Sequence, residues 1–390
     1  MSVSMVFGLL GGLALFLYGM QMMSVNLEAA AGSRMKHILE RLTANRFLGV
    51  CVGAGITAVI QSSSATTVMV VGFVNSGLMT LKQAVWIIMG ANIGTTVTGQ
   101  LIALDIGELA PFITFVGVAL ILFVKRKHVQ FAGGIIAGLG ILFIGMGMMG
   151  EAMVPLRESE VFVNLMTRFS NPLLGILAGA AFTAIIQSSS ASVGILQALA
   201  VSGLIGLDSA VFVLFGQNIG TCITAALASI GASRDAKRAT LIHLLFNVIG
   251  TAVFTAVCII WPLTGLVGDL TPANPAAQIA NMHTLFNIVT TLLLLPFGSQ
   301  LACLAGRLLP DKAMGKAEEE RWFEDLLESE HVLGVSVIAR KQLKEDIGRM
   351  LSLAAENVDK GFLAFGDRDE TELKKILERE EEIDLLRELI

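Results

Sequence analysis

The chain has 390 residues, 54% of them hydrophobic, a mean hydropathy of +0.74 and a formal net charge of -5. That average excludes an ordinary soluble domain and places the chain among membrane proteins, and because the negative balance comes from one end of the chain it gives no sign of a nucleic-acid partner. The charge is uneven: residues 1–309 hold 14 basic and 10 acidic side chains, residues 310–390 hold 13 and 22, so an apolar body precedes a charged tail that is too acidic for a polybasic membrane anchor.

In chain order, "VFGLLGGLALFLYGM" from Val6 has no basic residues before it and no A-x-A-like site after it, and reads as a first membrane helix, not a cleaved signal. A span needs roughly 20 apolar residues. Spans are predicted at about 3–23, 81–104, 109–124, 130–150, 209–230, 239–263 and 279–305. Two further apolar segments, 47–77 and 173–205, each carry Gln-Ser-Ser-Ser in the middle. One straight helix would place four polar side chains near the bilayer centre, at high cost. Two half-length helices meeting at that phrase, as a re-entrant hairpin buried in protein or lining a wet cavity, satisfy the backbone instead.

Loop charges favour the hairpins. The loops 34–46, 125–128 and 234–238 and the exit at Arg307 are basic, whereas 105–108 and 264–275 carry only acidic groups. Basic loops belong in the cytoplasm. The alternation closes only if each Gln-Ser-Ser-Ser segment enters and leaves on one side, the first from the cytoplasm and the second from outside. The N-terminus is then outside and the C-terminus cytoplasmic, and the halves form an inverted-topology pair of the kind found in secondary transporters.

The halves are also alike in sequence. Residues 53–65 and 179–191 agree at ten of thirteen positions, at an offset of 126, and "GANIGTTVT" from Gly90 recurs as "GQNIGTCIT" from Gly216 at the same offset. Such register over two separate phrases marks a duplicated unit. The expected fold is therefore an all-α polytopic membrane protein with inverted-topology repeats and two re-entrant helical hairpins, followed by a cytoplasmic helical tail. Its parts are a first membrane helix with a cytoplasmic amphipathic segment (1–46), repeat one (47–150), an extracellular connection (151–171), repeat two (172–309) and the tail (310–390). Helical periodicity in the tail runs from Val335 to Phe362 and resumes at Leu373 after "GDRDE". It stops mid-pattern at Ile390, as an incomplete bundle or a partner-binding hairpin would.

At a hairpin tip the second half-helix aims unsatisfied amides and the positive end of its dipole into the turn. Serine is a preferred cap there and offers both a donor and lone pairs. Oxyanions call for N–H and O–H donors; sodium calls for carbonyl, hydroxyl and amide oxygens. The tips, with Gln61 and Gln187 and the neighbouring "NIGT" segments, where helices are expected to unwind at Asn92, Gly94, Thr95, Thr96 and at Asn218, Gly220, Thr221, supply both. Neither phrase contains Lys or Arg, so a bound anion balanced by sodium would be released when sodium leaves.

The doubled "QSSS", each followed by "NIGT", resembles the type II sodium-dependent phosphate cotransporter family and its bacterial relatives over residues 1–309, and the tail is similar to a PhoU-like helical region. The resemblance implies phosphate as substrate, sodium as coupling ion, no other cofactor, an elevator-like alternating-access mechanism, a homodimer in the cytoplasmic membrane, and a regulatory partner for the tail. It implies that residues 61–66 and 187–192 carry substrate and ions; together with the "NIGT" reading this makes Ser62, Ser63, Ser64, Ser188, Ser189, Ser190, Asn92 and Asn218 the phosphate-binding candidates and Gln61, Thr66, Thr95, Gln187, Ser192 and Thr221 the sodium-binding candidates. One departure bears on stoichiometry. Electrogenic animal members carry Asp after a His, where this chain has Leu244 after His243 and Thr284 after His283.

Other readings compete. Small and hydroxylated residues also let membrane helices approach closely. The same architecture could carry sulfate, or sense phosphate and signal through the tail. A serine hydrolase needs a base, for which His243 and His283, in "HLLFN" and "HTLFN", are the candidates; a twofold-repeated site suits a carrier better than one nucleophile. His37, His128 and His331 have no distinguishing context, and the single cysteines Cys51, Cys222, Cys258 and Cys303 suggest neither disulfide nor zinc.

Overall fold

The computed structural model describes residues 3–31, 45–104, 106–159, 164, 166, 168–310, 348–358, 360, 375–381, 383 and 384. The chain divides into two units, Met1–Asp311 and Lys312–Ile390. Fourteen α-helices are described in the first: α1 Val3–Ala31, α2 Arg46–Ile60, α3 Ser63–Asn75, α4 Leu81–Ile102, α5 Ala110–Phe123, α6 Lys127–Met153, α7 Pro172–Ile186, α8 Ser189–Val201, α9 Leu207–Gly220, α10 Cys222–Ala228, α11 Arg234–Ile260, α12 Leu263–Leu270, α13 Pro275–Leu294 and α14 Gly298–Leu308.

Among the described residues, six helical stretches are long and apolar enough to cross a membrane: Val3–Ala30, Leu81–Ile102, Lys127–Leu156, Leu207–Ala228, Arg234–Ile260 and Pro275–Leu308. The stretch expected to span at 109–124 is an apolar helical stretch, a short 3-10 turn at Gly107–Leu109 followed by a 14-residue α-helix. The span expected at 279–305 is interrupted by a 3-10 turn, Leu295–Phe297, where Pro296 removes a backbone donor. In the span expected at 209–230, the counterpart of 81–104, a single turn residue, Thr221, separates α9 from α10, whereas α4 runs unbroken through Asn92–Thr96. Thr221 keeps right-handed helical angles (φ -58°, ψ -27°) and donates its N–H to Gln217 O at 3.1 Å, so the unwinding expected at both "NIGT" segments is not seen in either half.

Both serine phrases interrupt a helix in the same way. α2 ends at Gln61 and α7 at Gln187, each with φ 59°, and these are the positive-φ non-glycine residues among those described. That left-handed conformation costs an L-residue roughly 1–2 kcal/mol, so it persists only where the surroundings enforce it. One residue later, Ser62 and Ser188 cap the next helix, accepting from Ala65 N at 3.1 Å and Ala191 N at 3.3 Å. The resulting helices have 15 and 13 residues in each half, well below the roughly 20 of a span.

The duplication extends to packing. A Cβ on Gly53, Gly90 or Gly94 would strike the carbonyl of Ile87, Val50 or Ala54, respectively; on Gly179, Gly216 or Gly220 it would strike that of Val213, Ile176 or Ala180. Every member of the first set lies 126 positions before its equivalent. Glycine thus lets α2 lie backbone to backbone on α4, and α7 on α9. The pairing of α1 with α6 is reciprocal. Gly12 meets Gly145 while Gly19 meets Gly138, and Gly8 meets Ala152 while Gly134 meets Asn26. Under the offset of 126, Gly12 corresponds to Gly138, Gly19 to Gly145, Gly8 to Gly134 and Asn26 to Ala152. Contacts whose numbers rise on one helix and fall on the other make the pair antiparallel, and their reciprocity makes it two-fold.

α11 and α13 fill the space between the halves with a polar ladder. Asn247 Nδ2 and Asn287 Nδ2 each donate to the carbonyl of the histidine four residues earlier, at 3.0 Å. Thr251 donates to Phe215 O and Thr291 to Met89 O, at 3.2 and 3.4 Å. Around it, Phe215 stacks on Phe286 at 5.1 Å and meets Phe254 edge-on at 5.8 Å.

In the second unit, residues 348–358 and 375–381 are helical, in line with the periodicity. Asn357 donates to Ile376 O at 3.1 Å and accepts from Arg379, and Glu356 pairs with Lys360 at 2.6 Å. The rest of the expected tail helices, and the segment 32–44, lie outside the described residues.

Candidate functional site

The two serine turns converge on one cavity of about 120 Å³, lined by Gln61–Ser64, Gln187–Ser190 and, from α1, Met20, Gln21 and Ser24. It is wide enough for several water-sized groups. No lining residue is charged. The positive field comes from the N-termini of α3 and α8, both of which begin at the cavity wall, so amides that a helix cannot satisfy internally face this space. Two opposed sets of backbone donors and six serine hydroxyls suit a small oxyanion.

The halves meet through side chains here. Thr98 Oγ1 donates to Gln61 Oε1 at 2.6 Å, Ser190 Oγ lies 3.4 Å from both Gln61 O and Thr98 Oγ1, and Thr95 Oγ1 lies 3.4 Å from Ser189 Oγ. Gln61 Nε2 donates to Ala58 O, which leaves Gln61 5% exposed. The equivalent contacts are open: Gln187 is exposed, and Thr224, the equivalent of Thr98, donates to Thr221 O of its own segment at 3.0 Å. Chemically equal tips thus occupy unequal states.

Of the phosphate-binding candidates, Ser62, Ser63, Ser64, Ser188, Ser189 and Ser190 line the cavity. Asn92 and Asn218 are buried but do not line it; their Nδ2 atoms donate to Ile88 O and Leu214 O. Asn218 Oδ1 lies 3.1 Å from His283 Nε2, and Asn92 Oδ1 accepts from Asn247 at 3.5 Å. Of the sodium candidates, Gln61 and Gln187 line the cavity. Thr66 bonds Thr57 Oγ1 and Ser62 O, Ser192 bonds Ser188 O, and Thr221 bonds Gln217 O, so these hydroxyls brace the turns and helices from behind. The α1 residues Gln21 and Ser24 escaped the sequence reading; their signal was a pair of polar groups three apart on one face of an otherwise apolar helix. Ser24 Oγ ties α1 to the first turn through Ile60 O at 2.6 Å.

His243 and His283 are buried away from the serine cavity, whose Met, Gln and Ser lining offers no general base. Among the described residues no cluster of His, Cys, Asp or Glu could hold a metal ion, and the four cysteines are unpaired.

The profile of the Na+/Pi-cotransporter family matches residues 15–151 and 153–266, which include both turns and both "NIGT" segments. The chain belongs to the Na+/Pi-cotransporter family. With six apolar helices of spanning length, this family member is a multi-pass α-helical membrane protein. It is 34% identical over 298 residues to the uncharacterized protein YqeW of Bacillus subtilis, covering 76% of this chain and 96% of that one. It is 30% identical over 306 residues to YjbB of Salmonella typhimurium, a protein provisionally named for inorganic phosphate export, covering 78% of this chain but 56% of the relative. Sodium-dependent phosphate transport protein 2B of Homo sapiens shares 36% identity over 107 residues, 27% of this chain and 16% of that protein. No solved structure matches the chain.

Proposed function

We propose that this family member is a secondary transporter that couples sodium to the movement of inorganic phosphate by alternating access. The observation that carries the reading is the convergence of two helix N-termini and six serines on one uncharged cavity. Phosphate presents oxygens on every side, which suits donors arriving from opposed tips. Sodium would be held by neutral oxygens of the kind clustered at Gln61 O, Gln61 Oε1, Thr98 Oγ1 and Ser190 Oγ. Without a fixed cation in the cavity, the anion's charge is balanced by the ions that enter with it, and loss of sodium weakens its hold.

Inverted repeats and re-entrant hairpins are part of this proposal. The reciprocal, antiparallel contacts of α1 with α6 support inversion: a two-fold axis perpendicular to two membrane-crossing helices lies in the membrane plane. Helices of 15 and 13 residues meeting at a left-handed glutamine support hairpins that dip in and return. An elevator-like motion finds support in the construction of the cavity, with tips on one side and α1, braced on α6, on the other. A symporter runs either way with its gradients, so the same machinery serves uptake or export.

The test is labelled phosphate flux in proteoliposomes containing only this protein. Accumulation that requires an imposed sodium gradient is expected. Binding without flux would replace the carrier with a sensor, and equal competition by sulfate would remove the phosphate specificity.

A further inference from the structure

A second, larger cavity lies away from the serine site. It is a groove of about 760 Å³ between α7, α10 and α11, within the range of roughly 300–1,000 Å³ that holds whole small ligands. Ala180, Ala184 and Gly220 form its floor, Leu241 and Leu244 one wall, and the exposed Ile230 part of its rim. Lys237 is its one charged lining residue, set in the first turns of α11.

Comparison of the halves says what the groove is built for. In the first half α4 and α13 are clamped together: Gln100 Nε2 donates to Thr284 Oγ1 at 2.9 Å and to Asn281 Oδ1 at 3.3 Å. The offset of 126 carries Gln100 to Ala226. The 40-residue offset between the two His-x-x-Phe-Asn phrases carries Asn281 to Leu241 and Thr284 to Leu244. All three replacements line the groove. A polar clamp has become hydrocarbon, and the residue that bridged the gap has shrunk to a methyl group. The two hydroxyls that line the groove, Ser229 and Thr240, already donate to the carbonyls of Ala226 and Ala225, at 2.8 and 3.2 Å, so the surface left to an occupant is mainly Ala, Ile and Leu, which suits a hydrocarbon chain.

The charge at the end of the groove completes the match. Asp235 is engaged by Arg238 at 2.7 Å, whereas Lys237 makes no ion pair among the described residues. The same turns hold the N-terminus of α11, capped by Ser233, which adds positive field. We propose that this groove is a binding site for one anionic phospholipid, with an acyl chain along the Ala and Leu walls and the headgroup phosphate at Lys237.

The experiment is native mass spectrometry of the delipidated full chain in detergent, titrated with phosphatidylglycerol or phosphatidylcholine of identical acyl chains. Phosphatidylglycerol is expected to bind about five-fold more tightly, the increment of one basic residue at an anionic surface. Lys237→Gln, at the groove's edge, should erase that preference, and Ala226→Phe should lower occupancy by both lipids. Phosphatidylglycerol with a photoactivatable acyl chain should tag α7, α10 or α11 of the unaltered protein, which keeps the test independent of how Ala226→Phe folds. Equal affinity for the two lipids, tagging confined to other helices, displacement by inorganic phosphate, or a cross-linked second copy seated in the groove would each overturn the proposal.

Discussion

Thr98 holds the side chain of Gln61 at 2.6 Å, while Thr224, its equivalent in the second half, leaves Gln187 exposed and bonds the backbone of its own segment. Thr98→Val keeps the shape but strands the Gln61 oxygen, which should cost about 1–3 kcal/mol. Thr224→Val should cost about 0.5 kcal/mol or less, as expected for a half-buried hydroxyl with no cross-repeat partner. Denaturation of both variants in detergent is the check; equal losses would mean that the asymmetry of the two tips is not that of the populated state.

Ser63 and Ser189 stand at the first positions of α3 and α8 and line the cavity. Ser63→Ala and Ser189→Ala should each reduce sodium-driven phosphate uptake about ten-fold or more, the value of one hydrogen bond to a charged ligand. Melting temperatures should stay near that of the parent, because a hydroxyl at a helix start is not a packing group. Unchanged uptake in both variants would remove the serines from the substrate site.

Accessibility tests whether the two serine turns belong to opposed hairpins. Ser62→Cys and Ser188→Cys should react with membrane-impermeant thiol reagents from opposite faces, each dependent on sodium and phosphate, measured against a background lacking Cys51, Cys222, Cys258 and Cys303. Labelling of both from one face under every condition would defeat the inverted arrangement.

Gln21 enters the cavity from α1, whereas the serines belong to the tips. Gln21→Leu should raise the KM for phosphate several-fold, consistent with about 1 kcal/mol for one neutral hydrogen bond, with little effect on stability at this exposed position. Uptake kinetics over a phosphate series measure it, and an unchanged KM would leave α1 as a passive wall.

Gly90 and Gly216 make the same close approach in the two halves, against Val50 and Ile176 carbonyls. Gly90→Ala and Gly216→Ala should each destabilise by about 1–3 kcal/mol, the usual cost of overpacking. Similar losses measured by chemical denaturation would fit one duplicated unit; a loss at one site alone would show that the halves tolerate separation differently.

Much of the molecule was legible in the sequence because its information is local or repeated. Four polar residues inside an apolar run announce a helix break wherever the chain goes, and both breaks fall at Gln61 and Gln187. The offset of 126, visible in letters alone, reappears in Gly53 with Gly179 and Gly94 with Gly220 as identical backbone contacts. The segment 109–124 is shorter as an α-helix than its hydropathy suggests, because hydropathy measures apolarity, not where a helix can begin: Asp105, Gly107 and Pro111 precede or open it, and a 3-10 turn takes up its start, leaving 14 α-helical residues.

Tertiary structure decided what identical phrases do. Gln61 is buried and Gln187 exposed, although each stands before the same three serines, because only the first has Thr98 and Ser190 placed against it. Asn92 and Asn218 stay out of the cavity because their side chains are held by their own helices and by groups on α11 and α13. The cavity's third wall comes from α1, some 40 residues before the first serine turn. Sequence periodicity specifies which face of a helix is apolar or polar. Which distant face it meets depends on close packing among many helices at once, and that packing selects which of two equal side chains is covered.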